Sequence, residues 1–125
     1  MRELVYRKSM CRGAVSIRFF VEGTRVIAEF DDGDISSSST SYELRGLDNK
    51  YEIGMNDSLS TPLDTSLGKR PDENKTYPIA ATNEKDAKAE FIDFLVKPYE
   101  GPTKEHCVPV VATELRAGLM KKLLS

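Results

Sequence analysis

The sequence predicts an α+β domain in which an antiparallel sheet comes first and two helices follow. Three observations predict this class. Apolar and polar residues alternate in the first third of the chain, which is the period of a half-buried strand. In the last third, apolar residues recur at helical spacing and form a stripe. Strands and helices are thus segregated along the chain, and this order favours α+β over α/β.

The length of the chain favours a single domain. Its 125 residues suffice for one ordinary domain and not for two. Within the domain 1–125, we expect residues 1–55 to form the sheet and residues 77–125 to form a two-helix cover. Residues 56–76 are expected to be a long irregular loop between them.

The N-terminal part is expected to be a β-meander of about four strands. They cover residues 3–10, 14–21, 25–30 and 35–44. Gly23 lies between the second and third strands, where a tight hairpin needs glycine. Asp31-Asp32-Gly33-Asp34 is a turn signal between the third and fourth strands. These short connections predict antiparallel neighbours.

One face of this sheet is predicted to have no helical cover. It would carry Arg18, Phe20, Arg25 and Ile27. Apolar groups among charges on an exposed face are typical of a partner surface. The partner would be another protein or a second copy of the same chain.

The middle of the chain carries few signals of regular structure. Glycine, proline and short polar residues interrupt every period there, and only Tyr51–Met55 is expected to form a short strand. A loop of this length inside a compact domain is usually functional or mobile. It could also be an arm that becomes ordered on a partner.

The last third predicts two amphipathic helices. Thr82 or Asn83 can cap the first helix, because each offers a side-chain oxygen to the free N–H groups of the first turn. Phe91 lies on its apolar stripe and is expected in the core, and the helix should end near Lys97. The second helix is expected to begin near Pro109, since proline is tolerated at a first helical position.

Charge and hydropathy exclude several classes of protein. The net charge is −2 and the sequence pI is about 5.5, which disfavours a general nucleic-acid binder. No apolar run approaches the roughly 18 residues that a membrane-spanning helix needs, so no membrane partner is expected. The N-terminus has no apolar stretch typical of a secretory signal, and we expect a cytoplasmic protein.

The chain offers few residues for catalysis or metal binding. Two cysteines and one histidine cannot make a four-ligand zinc site of these residue types. His106 and Cys107 are the one nucleophile-and-base pair close in sequence, and neighbours on an extended backbone point apart. From Asp32 to Glu43 the spacing resembles a calcium loop, but Ser37 stands where that loop needs glycine. We therefore predict no metal, no cofactor and no catalytic residue.

These observations favour a non-catalytic interaction protein of the inhibitor or immunity type. It would act by binding a partner surface and would form a homo-oligomer. The alternative is a binder of a small anionic ligand or a nucleotide. The residues expected to hold such a ligand are Arg18, Arg25, Phe20, Arg116 and Tyr6. A second alternative is a small enzyme that uses His106 or Cys107 with a loop carboxylate.

Overall fold

The described part of the computed structural model forms one sheet and two helices. It comprises residues 2–10, 15–32, 36–47, 50–60, 73–100 and 110–124. The strands are β1 (Glu3–Met10), β2 (Val15–Glu22), β3 (Arg25–Asp32), β4 (Ser36–Leu47), β5 (Lys50–Ser60) and β6 (Glu73–Ile79). The helices are α1 (Glu84–Val96) and α2 (Ala112–Leu123), and a 3₁₀ turn (Lys97–Tyr99) follows α1. The predicted α+β class is confirmed.

The sheet is a purely antiparallel meander. Its spatial order is β1-β2-β3-β4-β5-β6, so every strand pairs with its neighbours in sequence. The hairpin between β2 and β3 turns over Gly23 and Thr24, and Gly23 has a φ of 64°. Glycine adopts this left-handed conformation without the steric cost that a Cβ atom brings. The predicted hairpin is confirmed.

The sheet has six strands, whereas the sequence predicted about four. The fifth strand continues through residues 56–60, and the sixth strand begins at Glu73. Both ends of the stretch expected as a loop are therefore strand, while residues 61–72 lie outside the described residues. The physical reason is long-range pairing. Backbone hydrogen bonds from β4 and β5 extend polar segments whose own strand propensity is weak.

The core lies between one face of the sheet and the two helices. The strands contribute alternate residues to it, as the period-2 pattern predicted, and the helices contribute their apolar stripes. Its largest fully buried side chains are Phe19, Phe91, Ile53, Ile92, Leu115, Leu119, Val26 and Val96. The Phe19 ring meets the Tyr99 ring edge-on at 5.9 Å between centroids. We call this side of the sheet the covered face.

Helix α1 begins at the predicted cap. The Asn83 side chain accepts a hydrogen bond from the backbone N–H of Asp86 at 2.9 Å, and its Nδ2 donates to Oδ2 of Asp86 at 2.8 Å. This pair satisfies a free N–H group of the first turn and places a carboxylate where the helix dipole favours it. Phe91 is completely buried, so its predicted place in the core is confirmed.

Helix α2 packs against the edge strand β1 at very close range. A Cβ atom at Gly118 would lie 2.5 Å from the backbone oxygen of Val5, so only glycine fits there. Lys122 also forms an ion pair with Glu3. The hydrogen bond to Lys122 lowers the pKa of the Glu3 carboxyl, with the lysine charge adding to this effect. Contacts along its length thus fix α2 on the covered face.

Candidate functional site

The opposite side of the sheet, which we call the open face, is not covered by either described helix. Its residues alternate with those of the core, so they can be read from the strand register. Arg18, Phe20, Arg25 and Ile27 all lie on this face, as the alternation predicted. The open face carries two features with possible binding chemistry: an apolar patch at β1–β3 and a pocket at β3–β6.

The patch is centred on a row of three apolar side chains. Leu4, Phe20 and Ile27 are register partners on three adjacent strands. Leu4 is 50% exposed, whereas Ile27 is only 5% exposed although it lies outside the main core cluster. Exposure therefore increases along the row, from the buried Ile27 on β3 to the exposed Leu4 on β1.

Two arginine side chains flank the Phe20 ring. The guanidinium carbon of Arg2 lies 5.0 Å from the ring centroid and that of Arg18 lies 5.9 Å from it. Both guanidinium groups also form ion pairs of 3.2 Å with the carboxylate of Glu29. The Nε atom of Arg18 is buried and has no hydrogen-bond partner within the described part of the chain. Cation–π contact and one shared carboxylate thus fix both arginines beside the ring.

We define the open-face patch as this set of six residues: Arg2, Leu4, Arg18, Phe20, Ile27 and Glu29. Its two ion pairs join side chains that are partly exposed. Such pairs contribute little to stability, typically below about 1 kcal/mol. The arrangement instead fixes the guanidinium groups of Arg2 and Arg18 on either side of the apolar Phe20 ring.

A pocket of about 360 Å³ opens on the same face, at the end of the sheet nearest β6. Charged and hydrogen-bonding side chains form most of its walls. Its lining residues are Arg25, Ser41, Glu43, Arg45, Gly54, Met55, Asn56, Lys75 and Thr76. Arg25 and Arg45 are cationic and Glu43 is acidic, whereas Met55 and Lys75 are register partners that alternate with the open-face residues Gly54 and Thr76. We call this cavity the basic pocket.

Gly54 creates the floor of the basic pocket. A Cβ atom at this position would overlap the guanidinium group of Arg45, so the bare backbone lets Arg45 lie across the strand. Arg45 is held there at both ends. Its Nε lies 3.3 Å from a carboxylate oxygen of Glu52, and its Nη2 donates to Oγ1 of Thr76 at 3.5 Å.

The structure does not bring the five predicted ligand-binding residues together. Arg25 lines the basic pocket, while Arg18 and Phe20 lie in the open-face patch beside it. Tyr6 and Arg116 lie on the other side of the sheet, with the helices. Two of the five are therefore separated from the rest by the thickness of the sheet.

Tyr6 and Arg116 make contacts within the fold. The hydroxyl group of Tyr6 accepts a hydrogen bond from the backbone N–H of Val111 at 3.1 Å, immediately before α2. Arg116 forms ion pairs with Asp93 and, at 3.0 Å, with Glu100. Its hydrogen bonds, first to Asp93 and then to Glu100, raise the pKa of the guanidinium group. These two side chains connect α2 to β1 and to α1.

The remaining candidates from the sequence lie outside the described residues. These are Cys11, His106 and Cys107, together with part of the calcium-like spacing that begins at Asp32. Within the described ranges, no three His, Cys, Asp or Glu side chains are grouped closely enough to hold a metal ion. Neither helix in these ranges has the length and apolar composition of a membrane-spanning helix.

Sequence reasoning missed most of the basic pocket. Arg45, Gly54 and Thr76 lie on β4, β5 and β6, and residues 56–76 were expected to be a loop. One signal was available. A glycine inside the short strand predicted at Tyr51–Met55 often marks a close approach by another group. Here the approaching group is the Arg45 guanidinium.

The chemistry of the open face is therefore carried by two neighbouring sites. The open-face patch offers apolar surface between oriented arginines, and the basic pocket offers cations and hydrogen-bond donors. Comparison of this chain with protein-family models, with curated proteins and with solved structures finds no match.

Proposed function

We propose that the chain is a non-catalytic interaction protein of the inhibitor or immunity type, which acts by covering a surface of another protein. One observation carries this proposal: the open-face patch is an apolar row with two fixed arginines on a sheet face that neither described helix covers. Aromatic and arginine side chains are the groups in which binding energy is concentrated at protein interfaces. Because Arg2 and Arg18 are already held by Phe20 and Glu29, little side-chain entropy is lost on binding.

Charge favours a partner with an acidic surface. The open face across the described residues of β1–β3 carries four arginines and three acids: Arg2, Arg7, Arg18, Arg25, Glu22, Glu29 and Asp31. This end of the face is therefore positive although the chain as a whole has a net charge of −2. A partner that presents an apolar ridge between carboxylates complements it in both respects. The expected compartment, the cytoplasm, stays a prediction.

The test is capture of a partner that depends on the patch. Tagged wild-type protein and two single variants, Leu4→Asp and Met120→Asp, are used as bait in native lysate at equal folded concentration. Leu4 and Met120 are both about half exposed, at 50% and 44%, but Met120 lies on α2. We expect an acidic protein that wild type and Met120→Asp capture equally and Leu4→Asp does not. The captured protein is then identified, purified and titrated against each variant.

With purified components, Leu4→Asp should weaken binding at least about tenfold, which is a loss of about 1.4 kcal/mol. Binding that Leu4→Asp and Met120→Asp weaken equally would contradict the proposal. The sequence also favours a homo-oligomer, so native mass is measured in parallel. Wild type could have a native mass of twice 14.0 kDa, and Leu4→Asp a mass of 14.0 kDa. This result would show that the partner at the patch is a second copy of the chain and not another protein.

A further inference from the structure

We infer that the open face pairs weakly with itself, so that two copies of the chain form a dimer in which their apolar rows of Leu4, Phe20 and Ile27 stack on each other. The inference rests on the proposed function, because it gives the open-face patch a second occupant that competes with the acidic partner. Three features support it: the order of charges beside the row, the geometry of stacked sheets and the area available for contact.

The charges on β2 and β3 have opposite orders on the two sides of the apolar row. Arg18 and Glu29 are register partners on one side, two residues from the row along their strands. Glu22 and Arg25 are register partners at the same separation on the other side. From β2 to β3, the order is therefore arginine then glutamate on one side and glutamate then arginine on the other.

A two-fold rotation about the apolar row brings each arginine of these pairs opposite a glutamate of the second copy. Each residue of the row then faces itself, and the residues on its two sides exchange places, as in every isologous interface. Arg18 therefore faces Glu22 of the second copy, and Arg25 faces Glu29 of the second copy. Because each contact occurs twice, opposite charges meet at four places, and the pattern is complementary to itself.

The neighbouring strand β1 does not oppose this pairing. Arg7 lies beside Arg18 on β1, and the rotation places it opposite the start of β1 in the second copy. The arginine at that place is Arg2, but its guanidinium group reaches across the apolar row to Glu29. Direct contact between two arginines at β1 is thereby avoided.

The twist of the two sheets preserves these contacts. Stacked sheets lie about 10 Å apart, and their strands cross at about 30°. The charged pairs lie about 7 Å from the rotation axis, so the crossing shifts each arginine sideways from its glutamate by about 3.5 Å. This shift is smaller than the spacing of about 4.8 Å between strands, and a long arginine side chain spans it.

The contact area makes the dimer weak. Three strands about 4.8 Å apart and three rows about 7 Å apart give a contact of about 300 Å² per copy. The two copies together bury about 600 Å², which is about half of the roughly 1,200 Å² that a stable interface needs. Ser41, Gly54 and Asn56 continue the open face on β4 and β5, and they are too short to enlarge the contact. We therefore expect a dissociation constant on the order of 100 μM.

Self-pairing of this strength regulates access to the open-face patch. At about 10 μM the chain is mostly monomeric, so the patch is free for the acidic partner. The described open face of β1–β3 carries four arginines and three acids, so each copy keeps an uncompensated positive charge. An acidic partner neutralises this charge and a second copy does not. The partner therefore displaces the second copy.

The experiment measures the mass of the full-length protein by sedimentation equilibrium, from about 10 μM to about 1 mM. Wild type should change over this range from mostly 14.0 kDa to mostly twice that mass. The first variant exchanges one charged pair, Glu22→Arg with Arg25→Glu, and keeps the net charge. Like charges then face each other at all four contacts, so self-association should weaken at least about tenfold.

The second variant exchanges the other pair, Arg18→Glu with Glu29→Arg, and should also lose self-association. When the two variants are mixed, opposite charges face each other again at every contact. A mixed dimer should therefore form with an affinity within about threefold of wild type. The matched control, Glu84→Lys with Lys88→Glu, exchanges an ion pair of 3.1 Å on α1. It should change self-association by less than about twofold, because it lies outside the contact.

Circular dichroism checks that each variant is folded. Glu22 and Arg25 are both exposed, so the first variant tests the inference even if the second does not fold. Three results would overturn the inference. In the first, wild type stays at 14.0 kDa at every concentration. In the second, the first variant and the control associate equally well. In the third, the two folded variants do not associate when they are mixed.

Capture of a partner separates this inference from the proposed function. If wild type captures an acidic protein through the open-face patch but does not dimerise, the inference is wrong and the proposed function stands. If wild type dimerises weakly and captures no protein, the proposed function is wrong and the self-pairing stands.

Discussion

Phe19 and Phe20 are consecutive residues on β2, yet they belong to different environments. Phe19 is 1% exposed and packs under Tyr6 and Tyr99 on the covered face. Phe20 is half-buried on the open face, where Arg2 and Arg18 flank its ring. A phenylalanine side chain is thus part of the core on one face and part of the solvent-accessible surface on the other. For these two rings, the difference in burial follows from the helices, which cover only one face of the sheet.

Replacing each phenylalanine with alanine gives the largest expected contrast. Phe19→Ala removes a ring from a fully packed site and should lower the free energy of unfolding by about 4 kcal/mol. Phe20→Ala removes a half-buried ring beside solvated arginines and should cost about 1 kcal/mol. Urea unfolding of both variants measures the difference. Similar losses for the two variants would contradict the two-face description.

The second prediction concerns the close contact between α2 and β1 on the covered face. Gly118→Ala should lower the free energy of unfolding by about 2 kcal/mol, because the added methyl group meets the backbone oxygen of Val5 at 2.5 Å. Helix propensity acts in the opposite direction, since alanine is favoured over glycine by about 1 kcal/mol. The melting temperature therefore decides between the two effects. A rise would show that α2 can move away from β1 at little cost.

The third prediction uses Tyr99 to report burial on the covered face. Burial raises the pKa of its hydroxyl group to about 12, compared with about 10 in the unfolded chain. The neutral form is therefore favoured in the folded state. The resulting stability is fully present below about pH 10 and is lost as the pH rises from about 10 to about 12.

Tyr99→Phe should remove this part of the pH dependence. Urea unfolding of wild type and variant at neutral and at alkaline pH gives the difference between the two proteins, in which the other titrating groups cancel. We expect wild type to lose on the order of 1 kcal/mol more than Tyr99→Phe, after allowance for the partial exposure of the ring. If the free energy of unfolding falls equally with pH in the two proteins, Tyr99 has the same pKa in the folded and unfolded states, and the prediction is wrong.

The covered face could be predicted from the sequence because its signal is local. Alternation placed Phe19 inward and Phe20 outward, and helical spacing placed Phe91 in the core. The Asn83 cap was also visible, since a short polar side chain before an acidic first turn is a helix start by itself. Each of these features depends on residues within about one helical turn or a few strand positions.

The basic pocket could not be predicted because it depends on pairing between distant segments. Arg45, Gly54 and Thr76 become neighbours only when β4, β5 and β6 are in register. The strand character of residues 56–60 comes from hydrogen bonds to β4, and no local pattern shows that pairing. The same limit explains why the sequence predicted Tyr6, Arg116 and Arg25 as one ligand-binding set, although the sheet separates them.

The order of elements in the chain also determines when the core is closed during synthesis. The last strand ends at Ile79, whereas α2 ends at Leu123, about forty residues later. At roughly ten residues per second, α2 is complete about four seconds after the sheet can pair. Until then, the side of the sheet that becomes the covered face lacks its second helix and can attract other chains. Gly118, which meets β1 at Val5, therefore lies on the last described element of the core to be synthesised.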